Sequence, residues 1–144
     1  RTNIKEFHFS WDEALNFKGD TGPYLQYAVA RLFSMEERAR AEGIEVDEQA
    51  SGEHLVEPEA WEIATVLSKF PSVLERTALD YEPCNICNYA LDLAKAISRA
   101  YVKLRVSGEA NEDVARARLT LFVCARTVLA TSLELLGLKS LQRM

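Results

Sequence analysis

Two tyrosines and an arginine recur at helical spacing near the start of the chain. Tyr24, Tyr27 and Arg31 are three and four residues apart, so a helix would place them near one another. Phenol rings can stack on unpaired bases, and a guanidinium can pair with a phosphate or a base edge. The same spacing is typical of half-buried aromatic residues that pack on a core beside a solvated arginine. Spacing alone favours packing and leaves the binding interpretation open.

The segment before these residues predicts a loop that enters a helix. Asp20 or Thr21 can cap the free amides of a first turn, and Pro23 suits that turn. Apolar residues then recur every three to four positions and predict one buried face: Leu25, Ala28, Leu32 and Met35. Tyr24, Tyr27 and Arg31 fall on a different face of the same helix.

No other pattern predicts catalysis or metal binding. Cys84 and Cys87 form one C-x-x-C pair without a second pair, Cys124 stands alone, and His8 and His54 are isolated. A structural zinc site needs four ligands, and small cysteines are common in cores. We therefore predict no catalytic residue, no metal site and buried cysteines. No carboxylate pair stands out as an acid/base couple, and no glycine-rich phosphate loop occurs.

The composition is that of one soluble domain. The chain has 144 residues, of which 48% are hydrophobic and 27% charged, and its net charge is -5. This charge argues against a general polyanion binder but permits a local RNA site, because screening confines charge effects to about 8–10 Å. No apolar run approaches the roughly 20 residues of a membrane span. The chain begins with Arg1, without a signal segment, so we interpret it as a piece of a longer cytoplasmic protein.

Five helical segments follow residue 18, and no sustained strand pattern occurs among them. The first runs from Pro23 to about Ala41, where Gly43 ends it, and residues 44–57 are predicted to be an acidic surface loop. Pro58, Pro71 and Pro83 mark the starts of the next three helices, with Asn85 as a possible cap, and the last runs from about Glu112 to Leu136, before Gly137. The predicted apolar faces of these four helices include Trp61, Ile63, Ala64, Leu67, Phe70, Val73, Leu74, Tyr81, Ile86, Ala90, Leu93, Ile97, Tyr101, Leu104, Ala115, Leu119, Phe122, Leu129, Leu133 and Leu135. The width of the last stripe predicts that this helix is the most buried.

Several segments resemble arginyl-tRNA synthetases. The stretch Gly19-Asp20-Thr21-Gly22-Pro23-Tyr24-Leu25-Gln26-Tyr27-Ala28 is similar to the segment that joins their catalytic and anticodon-binding parts. The later motifs resemble their helical DALR domain: Phe70-Pro71-x-Val73-Leu74, Glu82-Pro83, Ala115-Arg116-Ala117-Arg118-Leu119-Thr120-Leu121 and the ending Leu135 to Met144. Val29 departs from the family, in which many members carry His.

Five helical segments with short joints predict an all-α bundle, and the resemblance implies the same fold class. The resemblance assigns a helical bundle of about five helices to residues 19–144, the DALR anticodon-binding domain, and a short N-terminal arm to residues 1–18 from the end of the catalytic part. In that arm, Phe7 to Phe9 could be a strand or an extended segment, and Asp12 to Phe17 a short helix.

The resemblance also implies an RNA site. Tyr24, Tyr27, Arg31, Tyr101 and Met144 occupy positions that face the anticodon loop in the family. By this resemblance the tyrosines stack on or border a base, Arg31 holds a phosphate or base edge, and Met144 with its terminal carboxylate closes the pocket. For Tyr101, core packing is the alternative.

The arginines of the last helix permit two interpretations as well. Arg116, Arg118 and Arg126 could line a basic flank for the RNA backbone or pair with acidic helix residues. For Arg118 we favour the structural role.

The implied function is the anticodon-binding part of an arginine-tRNA ligase. The implied partners are tRNA(Arg), through its anticodon loop, and the catalytic domain of the parent chain. ATP and Mg²⁺ would serve the parent class I enzyme, whose nucleotide-binding motifs do not occur in this sequence, so we expect no cofactor and no catalysis here. We expect a monomer without membrane contact. The alternative is a helical protein-interaction module without RNA specificity.

Overall fold

The computed structural model describes residues 10–11, 19–47 and 49–143. The arm predicted over residues 1–18 lies almost wholly outside this range, as does Met144. The described residues form five α-helices and one 3-10 turn, Gly52–His54, and contain no strand: α1 is Gly22–Ala41, α2 Pro58–Ser68, α3 Phe70–Asp80, α4 Cys84–Lys103 and α5 Glu112–Leu135. Because Lys69 alone separates α2 from α3, these two can also be counted as one bent helix. The predicted all-α bundle is confirmed.

Two helices share the centre of the bundle, whereas the apolar stripe of α5 predicted α5 alone. α4 packs against all four other helices, and α5 packs against α1, α2 and α4. On α5, Phe122, Leu129 and Leu133 are almost completely buried. Burial of such side chains stabilises the fold by about 1.5–3 kcal/mol each. Leu135 was wrongly predicted on this face. It is more than half exposed, because it lies two residues beyond Leu133 and so points away from the buried stripe.

The predicted helix ends are mostly correct. Thr21 Oγ1 accepts a hydrogen bond from the Tyr24 amide at 3.4 Å at the start of α1. Gly137 ends α5 with φ 76°, which lets the Leu138 amide donate to the Leu133 carbonyl at 2.9 Å. Asn85 was wrongly predicted as a cap: it lies inside α4, whose start has no side-chain cap.

The buried faces of α2 and α3 differ from the prediction. Trp61 is 62% exposed, whereas Ile63 is fully buried, because the stripe of α2 that packs on α4 is centred on Ile63. Ala64, Leu67, Phe70 and Val73 pack against the core as expected. Tyr81 follows α3 in a left-handed conformation with φ 56° and is 89% exposed, so it belongs to no core face.

The segment after α1 is a surface loop that packs on α5. The Asp47 amide and carbonyl both bond Thr120 Oγ1, at 3.2 and 3.1 Å. The loop ends at Glu57, whose carboxylate pairs with the buried Arg118. Arg118 Nη1 also donates to Glu109 Oε2 at 2.6 Å and to the Arg105 carbonyl at 2.8 Å. The structural role favoured for Arg118 is therefore correct.

The other two arginines of α5 also pair with carboxylates. Arg126 lies 3.2 Å from Glu36 and over the Phe33 ring, and Arg116 pairs with Glu112 at 3.2 Å, one turn away. Both contacts support a structural role for these two side chains.

The cysteines are free, and none is fully buried. Cys84 and Cys87 are half-buried and Cys124 is exposed, so the prediction of buried cysteines was wrong. Among the residues described here, no group of His, Cys, Asp or Glu side chains is arranged to hold a metal ion. Within the same residues, no helix has the length and apolar content that crossing a membrane requires.

Candidate nucleic-acid interface

An open basin lies where α1 meets the last turn of α4. It has a volume of about 440 Å³. We call this surface the basin, and it is lined by Tyr27, Ala30, Arg31, Ser34, Arg38, Tyr101 and Arg143. Three of these residues are among the five site residues predicted from the sequence. The fold thus brings together Tyr27, Arg31 and Tyr101 from two helices.

The basin follows from the periodicity of α1. Tyr27, Arg31, Ser34 and Arg38 recur every three to four residues and form one stripe along the helix. The neighbouring stripe of α1 is buried against α5 and α4. Tyr27 is 52% exposed, so its ring is available for stacking.

Tyr101 joins the basin to the core. The Arg31 guanidinium lies 3.5 Å from the centroid of the Tyr101 ring, which is a cation–π contact. The Tyr101 hydroxyl accepts a hydrogen bond from Arg38 Nη2 at 3.3 Å. The ring also meets Phe122 of α5 edge to face, with centroids 6.4 Å apart. Tyr101 therefore packs on the core and also lines the basin.

The basin is locally positive although the chain is acidic. Among the described residues, no carboxylate pairs with Arg31 or Arg38; Arg38 Nε donates instead to the Ser34 carbonyl at 3.1 Å. Arg143 lies 3.6 Å from Glu37, and both side chains are well exposed. Guanidinium groups without a carboxylate partner keep N–H donors free for an anion.

Tyr24 lies outside the basin lining. Its hydroxyl is 3.2 Å from Ser98 Oγ on α4, and its ring packs against the core. The helix turns Tyr24 toward α4 while Tyr27, one turn on, faces solvent. The structure therefore separates the two tyrosines that the sequence placed together.

The chain end comes close to the basin. Gln26 Nε2 donates to the Lys139 carbonyl at 2.8 Å, which holds the tail against α1, and Arg143 lines the basin. Met144, the fifth predicted site residue, lies outside the described residues.

Polar contacts along α4 hold α1 in place. Lys95 Nζ lies 3.0 Å from the Asp20 carboxylate in the loop before α1, and this hydrogen bond raises the pKa of Lys95 above its ordinary value. Four residues on, Arg99 bonds Glu62 of α2, and this bond holds the pKa of Glu62 below its ordinary value. These contacts position α4 between α1 and α2, and they thereby position Tyr101.

Four residues of the basin lining were not predicted from the sequence, and three of them are polar: Ser34, Arg38 and Arg143. Ser34 and Arg38 continue the spacing of Tyr27 and Arg31 by two further turns, so extending that stripe would have found them. Arg143 carried no such signal, because its place depends on how the tail folds back.

Comparison with known proteins adds to this geometry. The family described as the DALR anticodon binding domain matches residues 25–144. The chain is 40% identical over 140 residues to a probable cytoplasmic arginine–tRNA ligase of Dictyostelium discoideum, covering 97% of this chain and 23% of that protein. It is 36% identical over 141 residues to the mitochondrial arginine–tRNA ligase of Saccharomyces cerevisiae, covering 98% of this chain and 22% of that one.

A solved structure agrees with the family match and with the two relatives. The arginyl-tRNA synthetase of Thermus thermophilus superposes with a TM-score of 0.76 at 33% identity, over 94% of this chain and 23% of that one. The chain thus spans less than a quarter of the length of the relatives it matches. Because the family match covers most of the helical bundle, including every residue of the basin, this chain belongs to the family of DALR anticodon binding domains.

Proposed function

We propose that this chain recognises the anticodon loop of tRNA(Arg) as part of an arginine–tRNA ligase. The observation that carries the proposal is the basin, which is lined by an exposed tyrosine and by an arginine whose guanidinium lies 3.5 Å from the centroid of a second aromatic ring. A family of anticodon-binding domains and relatives named arginine–tRNA ligases supply the substrate class. The matches give no support to the alternative of a protein-interaction module.

The chemistry of the basin suits an unpaired base. The exposed ring of Tyr27 stacks on the base, and such stacking is worth about 1–3 kcal/mol per base. Arg31, oriented by Tyr101, donates to a base edge, which supplies selectivity that a phosphate contact cannot. Arg38 has N–H donors for the backbone phosphate. Met144 borders the same base in this proposal, because its neighbour Arg143 lines the basin.

The whole protein would join arginine to its tRNA. In this proposal ATP and Mg²⁺ act in the catalytic domain of the parent chain, and the present chain contributes recognition. We further propose that the chain is monomeric and that the parent works in the cytoplasm, although the matched relatives include a mitochondrial form.

A titration with RNA tests the proposal. The chain is titrated against a labelled anticodon stem-loop of tRNA(Arg), with stem-loops of altered anticodon as competitors, and binding is followed by fluorescence anisotropy. We expect weak binding because the net charge is -5. We expect selective binding because the basin contacts a base as well as phosphate. Tyr27→Ala should weaken binding by the stacking energy, roughly 5- to 150-fold.

Tyr81→Asn is the matched control. It removes another exposed tyrosine, outside the basin, at a left-handed position that asparagine tolerates. It should leave the affinity unchanged. Equal binding of all stem-loops at low salt would refute the proposal.

Tyr24 needs a separate test because of its contact with Ser98. If the Tyr24 hydroxyl contacts RNA, Tyr24→Phe should weaken RNA binding while Ser98→Ala, which removes the same hydrogen bond from the other side, does not. Equal effects of the two variants would show that the hydroxyl serves only its bond to Ser98.

A further inference from the structure

A second concavity adjoins the basin. It has a volume of about 310 Å³ and shares two residues, Arg38 and Tyr101, with the basin. We call it the annex, and it is lined by Met35, Arg38, Tyr101, Leu104, Arg105, Val106 and Ser107. The contact between Arg38 and the Tyr101 hydroxyl therefore lies at the border between two hollows.

The annex has an apolar floor and a polar rim. Met35, Leu104 and Val106 are buried, so the surface they leave at the floor is small and apolar. Arg105 and Ser107 are exposed at the rim. A flat ring with a negatively charged substituent matches this arrangement, and a nucleotide offers the face of its base and its phosphate.

The rim is held by the core. The Leu104 amide donates to the Ala100 carbonyl at 2.7 Å as α4 ends. The Arg105 carbonyl then accepts a hydrogen bond at 2.8 Å from Arg118, which is itself buried and paired with two glutamates. The backbone that presents the Arg105 side chain is therefore anchored, and its position costs little ordering when a ligand binds.

Both annex arginines lack a carboxylate partner in the part of the chain that the structure describes. Arg40 of α1 and Arg99 of α4, by contrast, pair with Glu36 and Glu62. Arg38 is tied only to the Ser34 carbonyl and the Tyr101 hydroxyl. Two guanidiniums that flank one hollow without neutralising acids form a site for an anion such as a phosphate.

We propose that the annex binds the nucleotide next to the one held in the basin, with the phosphate that links them held by Arg38 and Arg105. This inference rests on the proposed function and extends it from one base to a two-nucleotide track. A single strand would pass from the basin over the Arg38–Tyr101 contact into the annex. Its second base would cover the apolar floor.

The salt dependence of RNA binding tests the phosphate contact. The probe is the anticodon stem-loop of tRNA(Arg), titrated at several salt concentrations. Arg105→Ala should weaken binding about tenfold and lower the slope of log affinity against log salt by about 1. Arg105→Lys should keep most of the slope, because it keeps the charge. Lys103→Ala, which removes an exposed charge two residues away outside the annex, should change neither quantity.

A double-mutant cycle locates the contact on the RNA. Stem-loops with one neutral methylphosphonate linkage each are titrated against the wild-type chain and Arg105→Ala. The two changes should be non-additive at one linkage only. That linkage should adjoin the base whose removal is non-additive with Tyr27→Ala.

The outcomes separate the two proposals. If Tyr27→Ala weakens binding but Arg105→Ala behaves like Lys103→Ala, the annex proposal is wrong and the proposed function stands. Additivity at every linkage would also refute the annex. If neither variant affects binding, both proposals fail.

Discussion

The guanidinium of Arg31 on α1 lies 3.5 Å from the centroid of the Tyr101 ring on α4. The same ring meets Phe122, one of the most deeply buried residues of α5, edge to face. Three helices thus form one stack that runs from the core to the basin. The stack holds the arginine in one orientation before any ligand arrives, which lowers the cost of ordering it on binding.

Substitutions at Tyr101 should separate the contribution of its ring to RNA affinity from that of its hydroxyl. Tyr101→Phe keeps the contact with Arg31 and loses only the bond from Arg38, so we expect at most a few-fold loss of affinity for the stem-loop. Tyr101→Leu removes the cation–π contact as well, which is worth about 0.5–2 kcal/mol. We expect a further loss of roughly 2- to 30-fold by fluorescence anisotropy. Equal affinities of the two variants would show that the ring does not orient Arg31.

Removing Arg118 should destabilise the fold strongly. Its side chain is 10% exposed and pairs with Glu57 and Glu109. Arg118→Met leaves two partly buried carboxylates without a counter-charge, and such a loss costs about 3–5 kcal/mol. Urea denaturation measures the change in the free energy of unfolding.

Arg116→Met is the control for that measurement. Arg116 lies two residues away and makes an exposed pair with Glu112. Exposed pairs of this kind contribute about 0.3–0.5 kcal/mol. Similar losses in the two variants would contradict the role assigned to the buried cluster.

Stability should fall in acid partly through Glu109. The Asn111 amide, and then the Arg118 guanidinium, hold the pKa of Glu109 below its ordinary value of 4.5. A lowered pKa in the folded state adds stability above the unfolded value, and that stability is lost as pH falls through the folded value. The difference in unfolding free energy between the wild type and Glu109→Gln should therefore be largest near neutral pH and shrink below pH 4.5.

Glu75→Gln is the control for the effect of removing a carboxylate that has no ion pair. Glu75 is exposed on α3 and has no ion pair among the described residues. Its difference from the wild type should stay small at every pH. A constant difference for Glu109→Gln across the same range would contradict the prediction.

Replacing Ile63 by alanine should destabilise the fold more than replacing the larger Trp61. Ile63 is fully buried and Trp61 is 62% exposed on the same helix. Ile63→Ala should cost about 2–5 kcal/mol of unfolding free energy through the cavity it leaves. Trp61→Ala should change it by less than about 1 kcal/mol. Thermal and urea denaturation of both variants check this, and a larger loss for Trp61→Ala would show that α2 is rotated relative to the structure.

Local signals in the sequence were enough to predict the helices. Prolines at the starts of α1, α2 and α3 and glycines after α1 and α5 act within a few residues, so their effect can be read without knowing the fold. The wide apolar stripe of α5 likewise predicted a central helix, since a helix that is apolar around much of its circumference must be buried. It did not predict that α4 shares the centre. The fold class and the pairing of Tyr27 with Arg31 followed from these periodicities.

Tertiary packing decided the rest. The angle at which α2 meets α4 buries Ile63 and exposes Trp61, although both are apolar and either could have faced inward. The crossing of α1 and α4 turns Tyr24 to Ser98 and brings Tyr101 to Arg31, and the folded tail adds Arg143 to the basin. Spacing along one helix determines which side chains share a face. Which residues meet that face depends on contacts between segments far apart in the chain, and periodicity contains no information about those.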